Sequence, residues 1–303
     1  MTIRTSRCIA LIAALTLSSS VVAEIKVSGS DTLESYFQNA LSQYARGPGA
    51  GVTSKSEFKG TSAGFKDLCE GRVGIAAAST KLEGDALARC TQARIVPIEL
   101  AIAYDAVVVI AHPSHASMNE INLSELKTIF NPDNSGKVTR WSQVRVGVPD
   151  TPLTVVSLNT KSGTTSFFGG KVYGMNGFIR PDAKTTADHI EAIKLVAADP
   201  NAIGFVSMGA LAENKASVWK VPVNFGKGPV VPSKDSVLND TYGSLARPLY
   251  VYVTKSALAE KDGHALGFMT WLIERAGKMA SYEGFIPLID SNYADNLRKL
   301  SAK

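Results

Sequence analysis

The sequence has little that points to metal, redox or nucleic-acid chemistry. Cysteine occurs three times and histidine four times in 303 residues, and charged residues make up only 19%. His112 and His115 are close in sequence, but no cysteine or carboxylate cluster accompanies them, so neither a metal site nor another cofactor is expected. The lysines and arginines are scattered, without a basic run interleaved with aromatic residues, so no nucleic-acid partner is expected.

Long apolar runs are also missing. The apolar segment Cys8 to Leu17 is too short to span a bilayer, and no other run is long enough. Arg4 and Arg7 precede this segment and small residues ending at Ala23 follow it, which predicts a signal peptide over residues 1–23. We therefore expect an exported protein, periplasmic or secreted. Removal of the two arginines lowers the formal net charge from +5 to +3, which does not favour a polyanionic partner.

Export leaves two cysteines, Cys69 and Cys90. An even pair in an oxidising compartment predicts a disulfide that closes a loop of about 20 residues and stabilises the fold by about 3 kcal/mol. A metal pair or a reactive thiol is the alternative, but neither cysteine has a nearby histidine or cysteine partner in the sequence.

What the sequence does have is a repeated order of strand, turn and helix. Apolar or alternating runs predict strands at residues 24–27, 52–58, 73–78, 95–100, 106–111, 153–158, 203–206 and 249–253. Helical spacing of apolar residues predicts helices at 33–44, 65–70, 124–130 (capped by Ser124), 186–198 and 265–279, and one after Thr164. Strands that alternate with helices predict an α/β fold with largely parallel sheets.

Four turns at the ends of these predicted strands are rich in hydroxyl groups. They carry Ser30 and Thr32, Thr61 and Ser62, Ser79, and Ser162 and Thr164 around Gly163. Any one of them is explained by an ordinary helix cap, in which the hydroxyl serves its own helix. Four such turns, in both halves of the chain, favour hydroxyls and helix N-terminal N–H groups that converge on one anionic ligand.

In this order the turns resemble the phosphate-binding periplasmic proteins that feed ATP-driven phosphate importers. The resemblance covers nearly all of the chain after residue 23 and depends on an ordered set of short motifs: Gly29-Ser30-Asp31-Thr32-Leu33, Gly60-Thr61-Ser62-Ala63-Gly64, Ile75-Ala76-Ala77-Ala78-Ser79, Ala103-Tyr104-Asp105, Leu123-Ser124-Glu125-Leu126, Ser162-Gly163-Thr164, Ile203-Gly204-Phe205-Val206-Ser207 and Arg247-Pro248-Leu249-Tyr250-Val251-Tyr252-Val253.

The resemblance implies a type II periplasmic binding protein, a two-lobed α/β clamp in which each lobe is a mainly parallel sheet flanked by helices. Lobe 1 is expected to comprise residues 24–106 and 247–303, and lobe 2 residues 107–246, with the ligand in the cleft between them. The implied ligand groups are Thr32 and the Leu33 N–H, Thr61 with Ser62, and the Ser162-Gly163-Thr164 turn. The implied partner is an inner-membrane ABC permease, and the protein is expected to be a monomer.

Two departures from the family pattern concern the ligand. Phosphate binders usually have an arginine shortly before the Ser-Gly-Thr turn, where this chain has Leu158-Asn159-Thr160. Many also have an aspartate where Ser79 stands. A site with Asn159 and Ser79 is therefore expected to be less charged, with Lys161 or Lys81 as possible replacements for the arginine, and Asp31 as a possible proton acceptor.

The leading prediction is therefore a binding protein, and not an enzyme, that captures phosphate or a related oxyanion for an ABC importer. One alternative keeps the clamp but gives it a carboxylate or phosphoester ligand outside transport. The other is a phosphoester hydrolase. The sequence supports the hydrolase poorly, because a serine nucleophile needs a base and all four histidines, including His189 and His264, are expected away from the hydroxyl turns.

Overall fold

A computed structural model describes residues 24–160, 162–213 and 217–302, so the predicted signal peptide lies outside the described residues. The strands are β1 (Glu24–Gly29), β2 (Thr53–Glu57), β3 (Ile75–Ala78), β4 (Pro97–Ala111), β5 (Ile121–Asn122), β6 (Thr154–Leu158), β7 (Lys184–Thr186), β8 (Ala202–Ser207), β9 (Trp219–Lys220), β10 (Val223–Asn224), β11 (Pro229–Val230), β12 (Ala246–Thr254) and β13 (Ile286–Pro287).

Helices follow most of the strands. They are α1 (Glu34–Ala45), α2 (Thr61–Cys69), α3 (Gly84–Gln92), α4 (Leu123–Phe130), α5 (Gly163–Val172), α6 (His189–Ala198), α7 (Met208–Glu213), α8 (Lys234–Leu238), α9 (Lys255–Leu258), α10 (His264–Tyr282) and α11 (Asp290–Ser301). None of the helices within the described ranges is both long and apolar enough to cross a membrane.

The main sheet has the strand order β2-β1-β3-β12-β4-β8-β6-β7. Its outer strands pair in parallel, β1 with β2 and β3, and β6 with β7 and β8. The two long central strands, β4 and β12, are antiparallel to each other and connect the two halves of the molecule. This arrangement gives the two-lobed α/β fold, because each parallel group of strands lies on its own side of the central pair.

Each side of the central pair has its own apolar core. One core packs α1 and α10 against β1, β4 and β12, with Tyr36, Phe37 and Phe268 fully buried. The other surrounds β4, β6 and β8, where the rings of Phe168 and Phe205 are stacked. A smaller cluster lies between α2 and α3, and there the predicted disulfide between Cys69 and Cys90 is confirmed.

Several predicted elements have different bounds in the structure; the helix predicted at 65–70, for example, is α2, which begins at Thr61. The runs at 95–100 and 106–111 belong to one strand, β4, because the polar residue between them, Asp105, is paired and buried. Helix α4 is capped by Asn122 and not by Ser124: Asn122 Oδ1 accepts from the Glu125 N–H at 2.9 Å. The helix predicted from 186 begins at His189, after Asp188 has capped it.

Candidate functional site

Three of the predicted hydroxyl turns meet at one edge of the sheet. Ser30 follows β1, Ser79 follows the adjacent parallel strand β3, and Thr61 begins α2. The Ser30 hydroxyl donates to Ser79 Oγ at 3.2 Å, and Thr61 Oγ1 lies 3.1 Å from the same oxygen. The Ser79 N–H also donates to Thr61 Oγ1 at 3.1 Å. The predicted convergence is therefore present within the first lobe, as a connected group of hydroxyls that we call the hydroxyl triad.

Two glycines allow these turns to approach so closely. A Cβ atom on Gly64 of α2 would lie 2.5 Å from Gly29 Cα, and a Cβ on Gly29 would overlap the backbone of Ala77. Helix α2 therefore packs backbone to backbone on the end of β1. This contact places the first turn of α2, with its N–H groups and the Thr61 hydroxyl, beside Ser30 and Ser79.

The fourth turn contacts the first lobe through its glycine. Ser162 caps α5, where its Oγ accepts from the Thr165 N–H at 3.5 Å, so the helix-cap interpretation holds for this hydroxyl. Gly163 lies so near the first lobe that an added Cβ would be 2.5 Å from Thr32 Oγ1. The Thr32–Gly163 contact therefore connects the two lobes across the cleft.

This contact separates two cavities. The larger, of about 780 Å³, contains the hydroxyl triad, Thr32 and Ser62. The smaller, of about 600 Å³, contains Asn159, Ser162 and Thr164. Asp31, Thr32 and Gly163 line both. The structure thus brings the predicted residues to the same cleft but distributes them on the two sides of one contact.

The two cavities differ in charge. The larger is lined by Lys59, Lys81, Lys171 and Arg247 against Asp31 and Glu83, and we call it the basic cavity. The smaller is lined by Asp31, Glu34, Asp105 and Glu283, and none of its described lining residues is lysine or arginine. We call it the acidic cavity. An anion is attracted to the first and repelled by the second, so the hydroxyl triad lies in the cavity whose charge suits an anion.

The cavity that holds the hydroxyl triad also contains an arginine, although the sequence has none shortly before the Ser-Gly-Thr turn. Arg247, on β12, lines the basic cavity, and its Nη2 donates to Thr32 Oγ1 at 3.1 Å. Asp105 holds the same guanidinium through a buried ion pair at 3.0 Å. Sequence reasoning used Arg247 only as part of a strand motif. Two features of the sequence could have indicated it: Asp105 interrupts one apolar run, and Arg247 stands at the start of another.

The other predicted polar groups have mixed placements. The Leu33 N–H donates to the Ser30 carbonyl oxygen at 3.0 Å, so its role as a ligand donor stays a prediction. Asp31 is exposed and lies at the boundary of the two cavities. Lys81 lines the basic cavity, 3.7 Å from Glu99, while Lys161 lies outside the described residues. Tyr250 was not a predicted site residue but also lines the basic cavity. Burial raises its pKa to about 12, so its phenol stays protonated.

The expectation that all four histidines lie away from the hydroxyl turns is wrong for His189, which shares a cavity with Ser162 and Thr164. It lines the acidic cavity, and its Nδ1 accepts from the Ser207 N–H at 3.2 Å. Burial lowers the pKa of His189, although the negative charges of Asp105 and Asp188 oppose this shift. Among the residues that the structure describes, no group of three or more His, Cys, Asp or Glu side chains is placed to hold a metal ion.

A sheet crossed by two central strands, with hydroxyl-rich turns facing one another across a cleft, defines a two-lobed ligand-binding clamp. Residues 16–276 match the sequence model of the PBP superfamily domain, and the chain belongs to this superfamily of periplasmic binding proteins.

Individual relatives agree with this assignment. Protein SphX of Synechocystis sp. is 32% identical over 278 residues, which are 91% of this chain and 81% of the relative. The phosphate-binding protein PstS of Staphylococcus aureus is 26% identical over 94% of this chain and 84% of its own length. The crystal structure of a possible phosphate binding protein from Planctomyces limnophilus has a TM-score of 0.84 and 26% identity, and covers 93% of this chain and 99% of that one.

Proposed function

We propose that this protein captures phosphate in the basic cavity and delivers it to an ABC importer. The observation that carries the proposal is the hydroxyl triad of Ser30, Thr61 and Ser79, set beside a helix start in a cavity lined by four basic side chains. Hydroxyls and helix N-terminal N–H groups are the donors that a phosphate oxygen accepts from. The PstS relative and the Planctomyces structure, both named for phosphate binding, support the same ligand.

The proposal includes the organisation of the clamp. Lobe 1 comprises residues 24–106 and 247–303, and lobe 2 residues 107–246, which agrees with the separate cores on either side of β4 and β12. Lobe 1 contributes Thr32, Thr61, Ser62 and Ser79, and lobe 2 closes on the ligand through Gly163. The signal peptide at 1–23, a periplasmic location, an inner-membrane ABC permease and a monomeric state complete the proposal.

Binding without turnover is proposed in preference to hydrolysis. His189 is the one histidine among the described residues that lines either of these two cavities. It belongs to the acidic cavity, on the other side of the Thr32–Gly163 contact from Ser79. A serine in the hydroxyl triad therefore has no histidine on its own side of the cleft to act as the general base that a nucleophilic serine needs.

Calorimetric titration of the ligand-stripped protein tests the proposal. We expect phosphate to bind, and phosphate at a hundred times its Kd to add about 2.7 kcal/mol to the free energy of unfolding. Ser79→Ala should weaken binding by roughly tenfold, because a hydrogen bond to a charged ligand is lost. The matched control is Ser157→Ala, which removes a buried hydroxyl that donates to the Leu158 carbonyl oxygen, outside both cavities.

The outcomes separate the alternatives. Absence of heat and of a thermal shift with phosphate would reject the proposal. Tighter binding of a phosphate monoester or a small carboxylate than of phosphate would support the clamp with another ligand. Release of phosphate from a chromogenic monoester, abolished in Ser79→Ala, would revive the hydrolase.

A further inference from the structure

Arg247 is a buried arginine at the crossing between the lobes. It lies on β12 directly opposite Asp105 of β4, and both residues are less than one-tenth exposed. A charged side chain is costly to bury, so a buried arginine is expected to be fully paired with protein groups or to bind a charged ligand.

The contacts of the guanidinium leave one side of it available. Nε and Nη2 donate to Asp105 Oδ2 at 3.2 and 3.0 Å, and Nη2 also donates to Thr32 Oγ1 at 3.1 Å. These three bonds use the single N–H of Nε and both N–H groups of Nη2. The two N–H groups of Nη1 make no hydrogen bond to the described part of the chain. A buried cation with two such donors therefore lines the basic cavity.

The orientation of the guanidinium is fixed from three directions. Asp105 holds it on the crossing strand, Thr32 contacts it from lobe 1, and the ring of Phe167 from lobe 2 lies 4.3 Å below its central carbon. An arginine held in this way loses little entropy when it binds a ligand. Lysines 59, 81 and 171 line the same cavity, but each is a flexible point charge, and Lys59 and Lys81 are largely exposed.

We propose that Arg247 is the charged anchor of the anion, and that its Nη1 N–H groups bind phosphate oxygens beside the hydroxyl triad. This inference rests on the proposed function. In the family that this chain resembles, the arginine that binds the anion lies shortly before the Ser-Gly-Thr turn, where this chain has Asn159. Here that role is assigned to Arg247 on β12. Since β12 belongs to the connection between the lobes, the anchor is available to the ligand before lobe 2 closes on it.

Substitution of Arg247 tests the inference through phosphate affinity. Arg247→Lys keeps the charge and loses the planar fork, and should raise the Kd for phosphate about tenfold. Arg247→Gln loses both and should raise it about a hundredfold. If the glutamine variant does not fold, the lysine variant decides, because it retains the charge opposite Asp105.

The matched control is Arg180, a second buried arginine with a bidentate aspartate partner. Its Nε and Nη2 donate to Asp182 at 2.9 and 2.7 Å, and it lines neither cavity. Arg180→Lys and Arg180→Gln should lower the melting temperature and leave the phosphate Kd within about twofold. An affinity loss equal to that of the Arg247 variants would make the effect structural and overturn the inference.

The wild-type titration separates this inference from the proposed function. If wild-type protein binds phosphate and both Arg247 variants bind it within about threefold, the anchor is rejected and the function stands. If the wild type binds no phosphate, both are rejected. Tight wild-type binding with graded loss in the lysine and glutamine variants is the expected result.

Discussion

Gly163 joins the two lobes because it lacks a side chain. Gly163 is the first residue of α5. A Cβ atom added there would lie 2.5 Å from Thr32 Oγ1 and 3.4 Å from the Asp31 carboxylate. Thr32 cannot move away freely, because its hydroxyl accepts from Arg247. The absence of one methyl group therefore permits the contact that divides the basic cavity from the acidic cavity.

Gly163→Ala should separate affinity from stability. Alanine forms helices at least as well as glycine, so the melting temperature should be unchanged or higher. The added methyl group displaces Thr32 or prevents closure, so the phosphate Kd should rise at least about tenfold in calorimetry. Gly47→Ala is the control, since a Cβ there meets its nearest atom at an ordinary 3.5 Å. Unchanged affinity in Gly163→Ala would show that this contact plays no part in binding.

The hydroxyl residues could be predicted from the sequence, but the arginine beside them could not. Ser30, Thr61 and Ser79 each follow a strand or begin a helix, and the carboxyl ends of adjacent parallel strands meet. Arg247 reaches Thr32 across 215 positions of sequence, and only the register of β12 against β4 brings it there. Its partner Asp105 interrupts an apolar run, so the pattern predicted two short strands where one long strand exists.

Helix α2 links the binding edge to the disulfide. Its first residue, Thr61, contributes to the hydroxyl triad, and its last residue, Cys69, is bonded to Cys90 of α3. The pairing could be predicted because only two cysteines follow residue 23. The last helix, α11, was not predicted, since only Asn296 and Leu300 are buried and the apolar spacing is correspondingly weak.

Removal of the disulfide should cost stability and spare binding. The bridge closes a loop with a sequence separation of 21, so a Cys69→Ala and Cys90→Ala double variant should lose about 3 kcal/mol of unfolding free energy in urea titration. Phosphate affinity should stay within about threefold, because Gly64 against Gly29 fixes the first turn of α2 independently. Wild-type protein under reducing conditions is the control and should behave alike. A parallel loss of affinity would mean that the disulfide positions Thr61.

At the scale of the whole molecule, two of the contacts between the lobes in the described residues are made by glycines that line the acidic cavity. One is Gly163 against Thr32, and the other is Gly209 of α7 against Gly284, which follows α10. At the second, two backbones are in direct contact, and Gly284 has φ of +75°, a conformation that favours glycine. Both glycine contacts therefore line the acidic cavity, while the basic cavity holds the proposed ligand groups.

Gly209→Ala should hold the clamp open. A Cβ at this position would overlap the backbone of Gly284, and backbone atoms cannot turn aside as the end of a side chain can. If the closed arrangement falls to about a tenth of the molecules, the apparent phosphate Kd rises about tenfold. Small-angle scattering should show phosphate compacting wild-type protein and the Gly47→Ala control, but not Gly209→Ala. Equal compaction and affinity in all three would mean that closure does not pass through this glycine pair.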